Sequence, residues 1–233
     1  PEGQAETCEQ YLNEAHEMLG IPSAETLLKV GNVVKEIQAE LERRNYKLLV
    51  LETGGVSPGH PSTQLSRKLA NGVSHSVLLV RPPAGEIKRM LICTSGSPIS
   101  NGLIRWGLRL ARITSAQPTV LHVASAAAEM YAGLPMLTED LSHVLSRDTP
   151  LSSHLREVAE LAEREGVDAQ LELRHGMVAE EITRACDMQD YDFIVLGAAK
   201  APRRVDGWLI DEVTPLVLPS ITCSILVVRT DPE

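Results

Sequence analysis

Ser95-Gly96-Ser97 follows the apolar stretch MLICT and precedes the amphipathic segment ISNGLIRWGLRLARI. Two hydroxyls and a glycine at a strand-to-helix junction can cap the helix, or they can turn hydroxyls and backbone N–H groups toward an anion. A second junction, GAAKAPRR, starts at Gly197 after YDFIVL and carries Lys200, Arg203 and Arg204. These cations can hold a phosphorylated ligand or stand as a solvated basic loop, and Asp211 and Glu212 downstream offset their charge. A third junction, Glu52-Thr53-Gly54-Gly55, closes YKLLVL. His122 sits in VLHVA at a strand end with no acidic partner at a recognisable spacing, which favours a structural hydrogen bond over acid–base work, and His175 follows LELR, where Val30 stands 145 residues earlier.

Other chemistries lack their residues. The chain has no Ser nucleophile elbow, HExxH, GK[ST] phosphate loop or paired-carboxylate arrangement, so a non-catalytic role leads. Cys8, Cys93, Cys186 and Cys223 form no CxxC and have no His at metal-ligand spacing; they read as small hydrophobes in a reducing compartment. The charge of −9, from 22 Lys+Arg against 31 Asp+Glu, comes without a clustered basic face and disfavours nucleic acid. No apolar run approaches the ~18 residues of a membrane span. The first thirty residues carry Glu2, Glu6, Glu9, Glu14 and Glu17, so a leader is not expected and a cytoplasmic location is.

The elements that would position these junctions alternate. AETCEQYLNEAHEML predicts a helix ended by Gly20 and Pro22, ETLLKV a short strand, VVKEIQAELER a helix, YKLLVLE a strand, TQLSRKLAN a helix and SVLLVR a buried strand. After RPPAGE come the strand IKRMLICTS, a helix with Ile99, Leu103, Trp106, Leu110 and Ile113 on one side, and the strand PTVLHVA. The region from Ser125 to Arg147 predicts a loop with short helices. LREVAELAEREG, DAQLELR, VAEEITRAC, YDFIVLG and SILVVR then give helix, strand, helix, strand and strand.

The end repeats the beginning. Gly31 to Ile37 lines up with Gly176 to Ile182 and YKLLVL with YDFIVL, both at 191 − 46 = 145, while SVLLVR and SILVVR match at 224 − 76 = 148. Three matches in one order point to an internal duplication. Apolar strands alternating with helices imply an open, mostly parallel five-stranded sheet with helices on both faces, plus a partial second copy. An apolar edge strand such as SVLLVR needs a partner, which makes Ser76–Arg81 and Ser224–Arg229 a candidate pseudo-dimer seam or self-association surface.

The span MLICTSGSPISNGLIRWGLRLARI…PTVLHVA…GMVAEEITRACDMQDYDFIVLGA…PSITCSILVVR resembles a universal stress protein domain, and VGNVVKEIQAELERRNYKLLVLE…SRKLANGVSHSVLLVR resembles the C-terminal half of another. The resemblance implies residues 87–232 as a complete domain, 82–86 as linker and 1–81 as the back half of a sibling whose front lies before Pro1 or on another chain. It also implies an adenine-nucleotide hydrolase-like fold, ATP binding in many members and pairing through last strands. Where ATP-binding members end their first strand with Asp, this chain has Ser95. In their G-x-x-G, nine residues, G-S/T phosphate loop, Gly197 matches the first glycine, Lys200 replaces the second, and Ile210, Asp211 and Glu212 lie near the third. Side chains there crowd the backbone cradle, and the acids repel phosphate. Candidate lining residues are Ser95, Gly96, Ser97, Val123, Gly197 and Lys200, with Gly54 and Gly55 in the first copy. The leading expectation is a non-catalytic stress-response or regulatory protein with degenerate nucleotide motifs, no cofactor and no metal, assembled through its last strands; the alternative is an ATP or AMP binder with weak or no hydrolysis.

Overall fold

The computed structural model describes residues 2–53, 61–83, 85–125, 141–199, 204–205, 208–209 and 213–230. Its contacts divide it into two units, Pro1–Asn45 and Tyr46–Glu233.

In the first unit, α1 (Glu2–Leu19) ends at Gly20 in the left-handed region, and α2 (Val33–Arg43) begins under Asn32, whose side chain accepts the Lys35 N–H. Lys29 pairs with Glu40 at 2.7 Å and Arg44 with Glu25, tying the intervening segment to α2. That segment, ETLLKV, is not a strand. Its Leu and Val content suits a pleated surface, yet a strand exists only by pairing, and no described strand lies within this unit.

The second unit is one seven-stranded sheet in the order β1-β2-β9-β6-β3-β4-β5, comprising β1 (Leu48–Glu52), β2 (Ser76–Val80), β3 (Arg89–Thr94), β4 (Gln117–Ser125), β5 (Gln170–Gly176), β6 (Phe193–Ala199) and β9 (Ser224–Thr230). The five from β9 to β5 are mutually parallel, as is β1 with β2, while β2 runs antiparallel to β9. The short β7 (Arg204–Val205) and β8 (Trp208–Leu209) pair separately. Helices α3 (Pro61–Gly72), α4 (Asn101–Thr114), α5 (Leu141–Ser146), α6 (Pro150–Glu165), α7 (Val178–Gln189) and α8 (Val213–Val217) complete it. One core joins Ile92, Leu103, Leu108, Val158, Val195 and Leu226, so strands from the sheet centre share a dry face with α4 and α6.

Helix α4 turns a different side inward from the one its large residues suggest. Leu103, Ile104, Gly107, Leu108 and Ala111 are buried, whereas Trp106 is 38% and Ile113 75% exposed. Gly107 decides this: a Cβ there would stand 2.6 Å from Ile92 Cδ1, so the helix crosses β3 at its smallest residue and carries the bulkier stripe around to the outside.

The β2–β9 junction pairs Val77 with Val227, Leu78 with Leu226 and Leu79 with Ile225. Its hydrogen bonds are reciprocal. The Arg81 N–H donates to Ser224 Oγ and the Arg229 N–H to Ser76 Oγ, each at 3.1 Å. The Arg81 guanidinium donates to the Leu218 carbonyl at 2.9 Å, and that of Arg229 to the Ala70 carbonyl. The partners differ by one number, 229 − 81 = 224 − 76 = 218 − 70 = 148, so the contacts on the two sides of the junction correspond residue by residue.

Candidate functional site

Strands β3 and β6 are neighbours, but the chain leaves β3 through α4 to β4 on one side and leaves β6 through α8 to β9 on the other. Such a reversal opens a crevice beyond the C-terminal strand ends. Thr94 pairs with His122 across β3 and β4, and carrying the Ile92–Val195 register on by two residues sets Thr94 level with Gly197. The structure thereby brings Ser95, Gly96, Ser97, Val123 and Gly197 to one sheet edge. Ser95 and Gly197 are exposed; Val123 is buried, so its side chain belongs to the packing beneath that edge. Gly54, Gly55, Lys200, Arg203, Ile210, Asp211 and Glu212, with the Arg204 side chain, lie outside the described residues.

The Ser95–Ser100 turn is satisfied from within. The Ser95 N–H donates to Ser100 Oγ at 3.0 Å, the Gly96 N–H to Thr94 Oγ1 at 3.2 Å, and the Ser95 hydroxyl lies 3.0 Å from that of Ser97 and 2.7 Å from that of Ser100. Neither Ser97, which precedes the 3-10 turn Pro98–Ser100, nor Ser100, which precedes α4, makes a side-chain capping bond. The amides of Ser95 and Gly96 are therefore occupied within the turn, and their serines bond to one another.

Gly96 is required on two counts. Its φ is +77°, and a Cβ would fall 2.5 Å from His122 Cε1 and 3.0 Å from Leu151 Cδ1. His122 Nδ1 lies 3.2 Å from the Thr94 carbonyl, which only accepts, so Nδ1 carries the proton and Nε2 is left as an acceptor. Burial lowers the His122 pKa, the Thr94 carbonyl opposes that, and nearby His175 adds to the lowering. Gly197 is close-packed as well, a Cβ there meeting Leu103 Cδ1 at 3.1 Å.

Beneath the edge lies a pair absent from the sequence expectations. His154 on α6 is 2% exposed, with Nε2 2.8 Å from Thr94 Oγ1. Burial lowers its pKa, Glu157 opposes, and His122 lowers it further. One signal existed in the sequence: His154 shares a helical stripe with Val158 and Leu161, so a histidine on an apolar face had to find a buried partner. Asn101 donates to Glu157 at 2.9 Å and ties α4 to α6.

The hydroxyl partners of Ser95 are serines rather than a base, and both histidines are held neutral by burial. Among the described residues no group of three or more His, Cys, Asp or Glu could hold a metal ion. Burial pushes the Cys93 thiol up, that of Cys186 to about 12 and that of Cys223 to about 11, so these stay protonated and inert. No described helix is long and apolar enough to cross a membrane.

An open, mostly parallel α/β sheet flanked by helices, with a strand reversal between β3 and β6, defines a fold of the Rossmann-like class. More particularly, the universal stress protein family model matches residues 86–229, over half of the sequence, and the chain belongs to that family. It is 25% identical over 153 residues to universal stress protein MJ0531 of Methanocaldococcus jannaschii, spanning 65% of this chain and 87% of that protein. Among solved structures it is similar to a universal stress protein from Archaeoglobus fulgidus, with TM-score 0.67, 14% identity and coverage of 98% of this chain and 78% of that one. A functionally unknown protein from Pseudomonas aeruginosa PAO1 gives TM-score 0.62 and 15% identity, with 95% and 78% covered. At these identities the structural likeness is one of fold.

Proposed function

We propose that this protein is a member of its family whose switch-point crevice binds an adenine nucleotide, ATP or AMP, with weak or no hydrolysis. The observation that carries this reading is the strand reversal that sets Gly96 and the exposed Gly197 on adjoining strand ends, beside the crevice such a reversal opens. Ser95 supplies a hydroxyl in place of a carboxylate; it adds no negative charge against phosphate, but it grips a sugar hydroxyl less firmly than an ionised acid. In this reading residues 87–232 form the complete domain, residues 1–81 are the back half of a duplicated one, and the protein works in the cytoplasm.

A second reading is favoured by the self-satisfied Ser95–Ser100 turn. With the amides of Ser95 and Gly96 already engaged, the nucleotide motifs are degenerate, and the molecule serves through assembly along Ser76–Arg81 and Ser224–Arg229. Calorimetric titration with ATP and with AMP separates the two. Saturable heat in the micromolar range without product formation supports the first; no heat in large nucleotide excess replaces it with the second.

A further inference from the structure

We infer that Thr94 and His154 form a proton-operated latch: protonation of His154 reverses its bond to the Thr94 hydroxyl and releases the Gly96 N–H at the sheet edge. Two imidazoles hold one residue there. His154 Nε2 lies 2.8 Å from Thr94 Oγ1, and His122 Nδ1 lies 3.2 Å from the Thr94 carbonyl. The same Oγ1 accepts the Gly96 N–H at 3.2 Å, and Gly96 sits so near the His122 ring that a Cβ would fall 2.5 Å from Cε1. Thr94 is 7% and His154 2% exposed, so bulk water does not replace a lost partner at either. His154 Nδ1 has no hydrogen-bond partner among the described residues, which leaves the Thr94 hydroxyl as the group that answers a change in the ring.

The hydroxyl sets the direction of the change. A neutral ring accepts at Nε2, so Thr94 donates its one proton there and keeps a lone pair for the Gly96 N–H. An imidazolium donates from both nitrogens. Thr94 Oγ1 must then accept from Nε2 and swing its own proton aside, and the charge-assisted bond weakens the neutral one that shares the oxygen. Burial above all lowers the His154 pKa; Glu157 on the same helix opposes that, and His122 on β4 adds to it. His122 in turn feels His175 at the end of β5. Asn101 of α4 is neutral and bonds Glu157, while His143 of α5 is engaged by Arg147. The latch is therefore shut at neutral pH and opens below about pH 6.5. As regulation of the crevice it rests on the nucleotide reading: the open latch offers a phosphate the Gly96 N–H beside a buried cation, so that binding takes up a proton.

Proton–nitrogen NMR of the full chain, without ligand, from about pH 7.5 to about pH 5 tests the latch. The Gly96 amide should shift and lose protection with the midpoint of the His154 ring, while the amides of Met90, Leu91 and Ile92 stay protected. His154→Gln should remove the Gly96 titration, and Thr94→Ser, which keeps the hydroxyl, should retain it. A Gly96 amide indifferent to pH, one that follows the His122 ring instead, or a titration that persists in His154→Gln overturns the inference. Calorimetry with ATP at about pH 7.5 and about pH 6 then tests the link to the crevice. The parent should gain about fivefold more affinity in acid than His154→Gln, a comparison that cancels the ionisation of the nucleotide itself, and equal gains overturn the link. A Gly96 titration without ATP binding supports the latch and overturns only the nucleotide reading; ATP binding with a silent Gly96 amide does the reverse.

Discussion

YKLLVLE and YDFIVLG are nearly the same strand in composition, yet β6 lies in the middle of the sheet and β1 at its edge. Val195 is fully buried and Val50 mostly exposed. Local sequence makes both segments extended; neighbours decide what each is worth. The same contrast separates DAQLELR, which pairs with β4, from ETLLKV, which has the pattern and no pairing. It bears on function too, since the crevice at the end of β6 exists because β3 stands beside it, and no described strand stands on the free side of β1.

Matched substitutions give the largest contrast. Val195→Asp should cost about 4 kcal/mol or more, or prevent folding, because a carboxylate would enter a dry core, whereas Val50→Asp should cost less than about 1 kcal/mol. Urea unfolding of both variants measures the gap, and equal costs would show that β1 is covered in solution. Next in size is Thr94→Val, expected at about 2 kcal/mol, because it leaves both nitrogens of the buried His154 without a partner. This position has no described counterpart near β1, so it probes a contact found only beside β3 among the described residues.

The β2–β9 junction offers a finer comparison. Ser76→Ala and Ser224→Ala each remove one side of a reciprocal pair and should cost about 1 kcal/mol apiece. Clearly unequal losses would mean that the geometric correspondence is not an energetic one. The smallest effect concerns acid. Burial holds the pKa values of His122 and His154 below the ordinary value, so the unfolded chain binds more protons as pH falls. Stability is full above about pH 6.5 and declines as pH drops through the folded-state values. Unfolding curves from about pH 7 to about pH 5 should show this decline, smaller in His122→Gln.

Much of this was legible in the sequence. Helix α2 matches its periodic stretch, and SVLLVR and SILVVR, apolar segments expected to need partner strands, are the neighbouring strands β2 and β9. What escaped depends on long-range neighbours. The rotation of α4 follows from Gly107 meeting Ile92, two residues brought together only by packing, and ETLLKV failed as a strand for want of a partner. At the site, the spacing of Ser95, Gly96 and Ser97 revealed the turn but not that Ser100 would consume its amide, and His154 lies on a helix remote in sequence from Thr94.

One titration tests most directly the proposal that the sheet edge at Gly96 and Gly197 is the nucleotide crevice. Calorimetry of the chain with ATP or AMP should give one site per chain, and Gly96→Val should abolish it by driving a side chain into the His122 ring at a left-handed backbone position. Two sites per chain, binding unchanged in Gly96→Val, or no binding by the parent protein would each contradict the account.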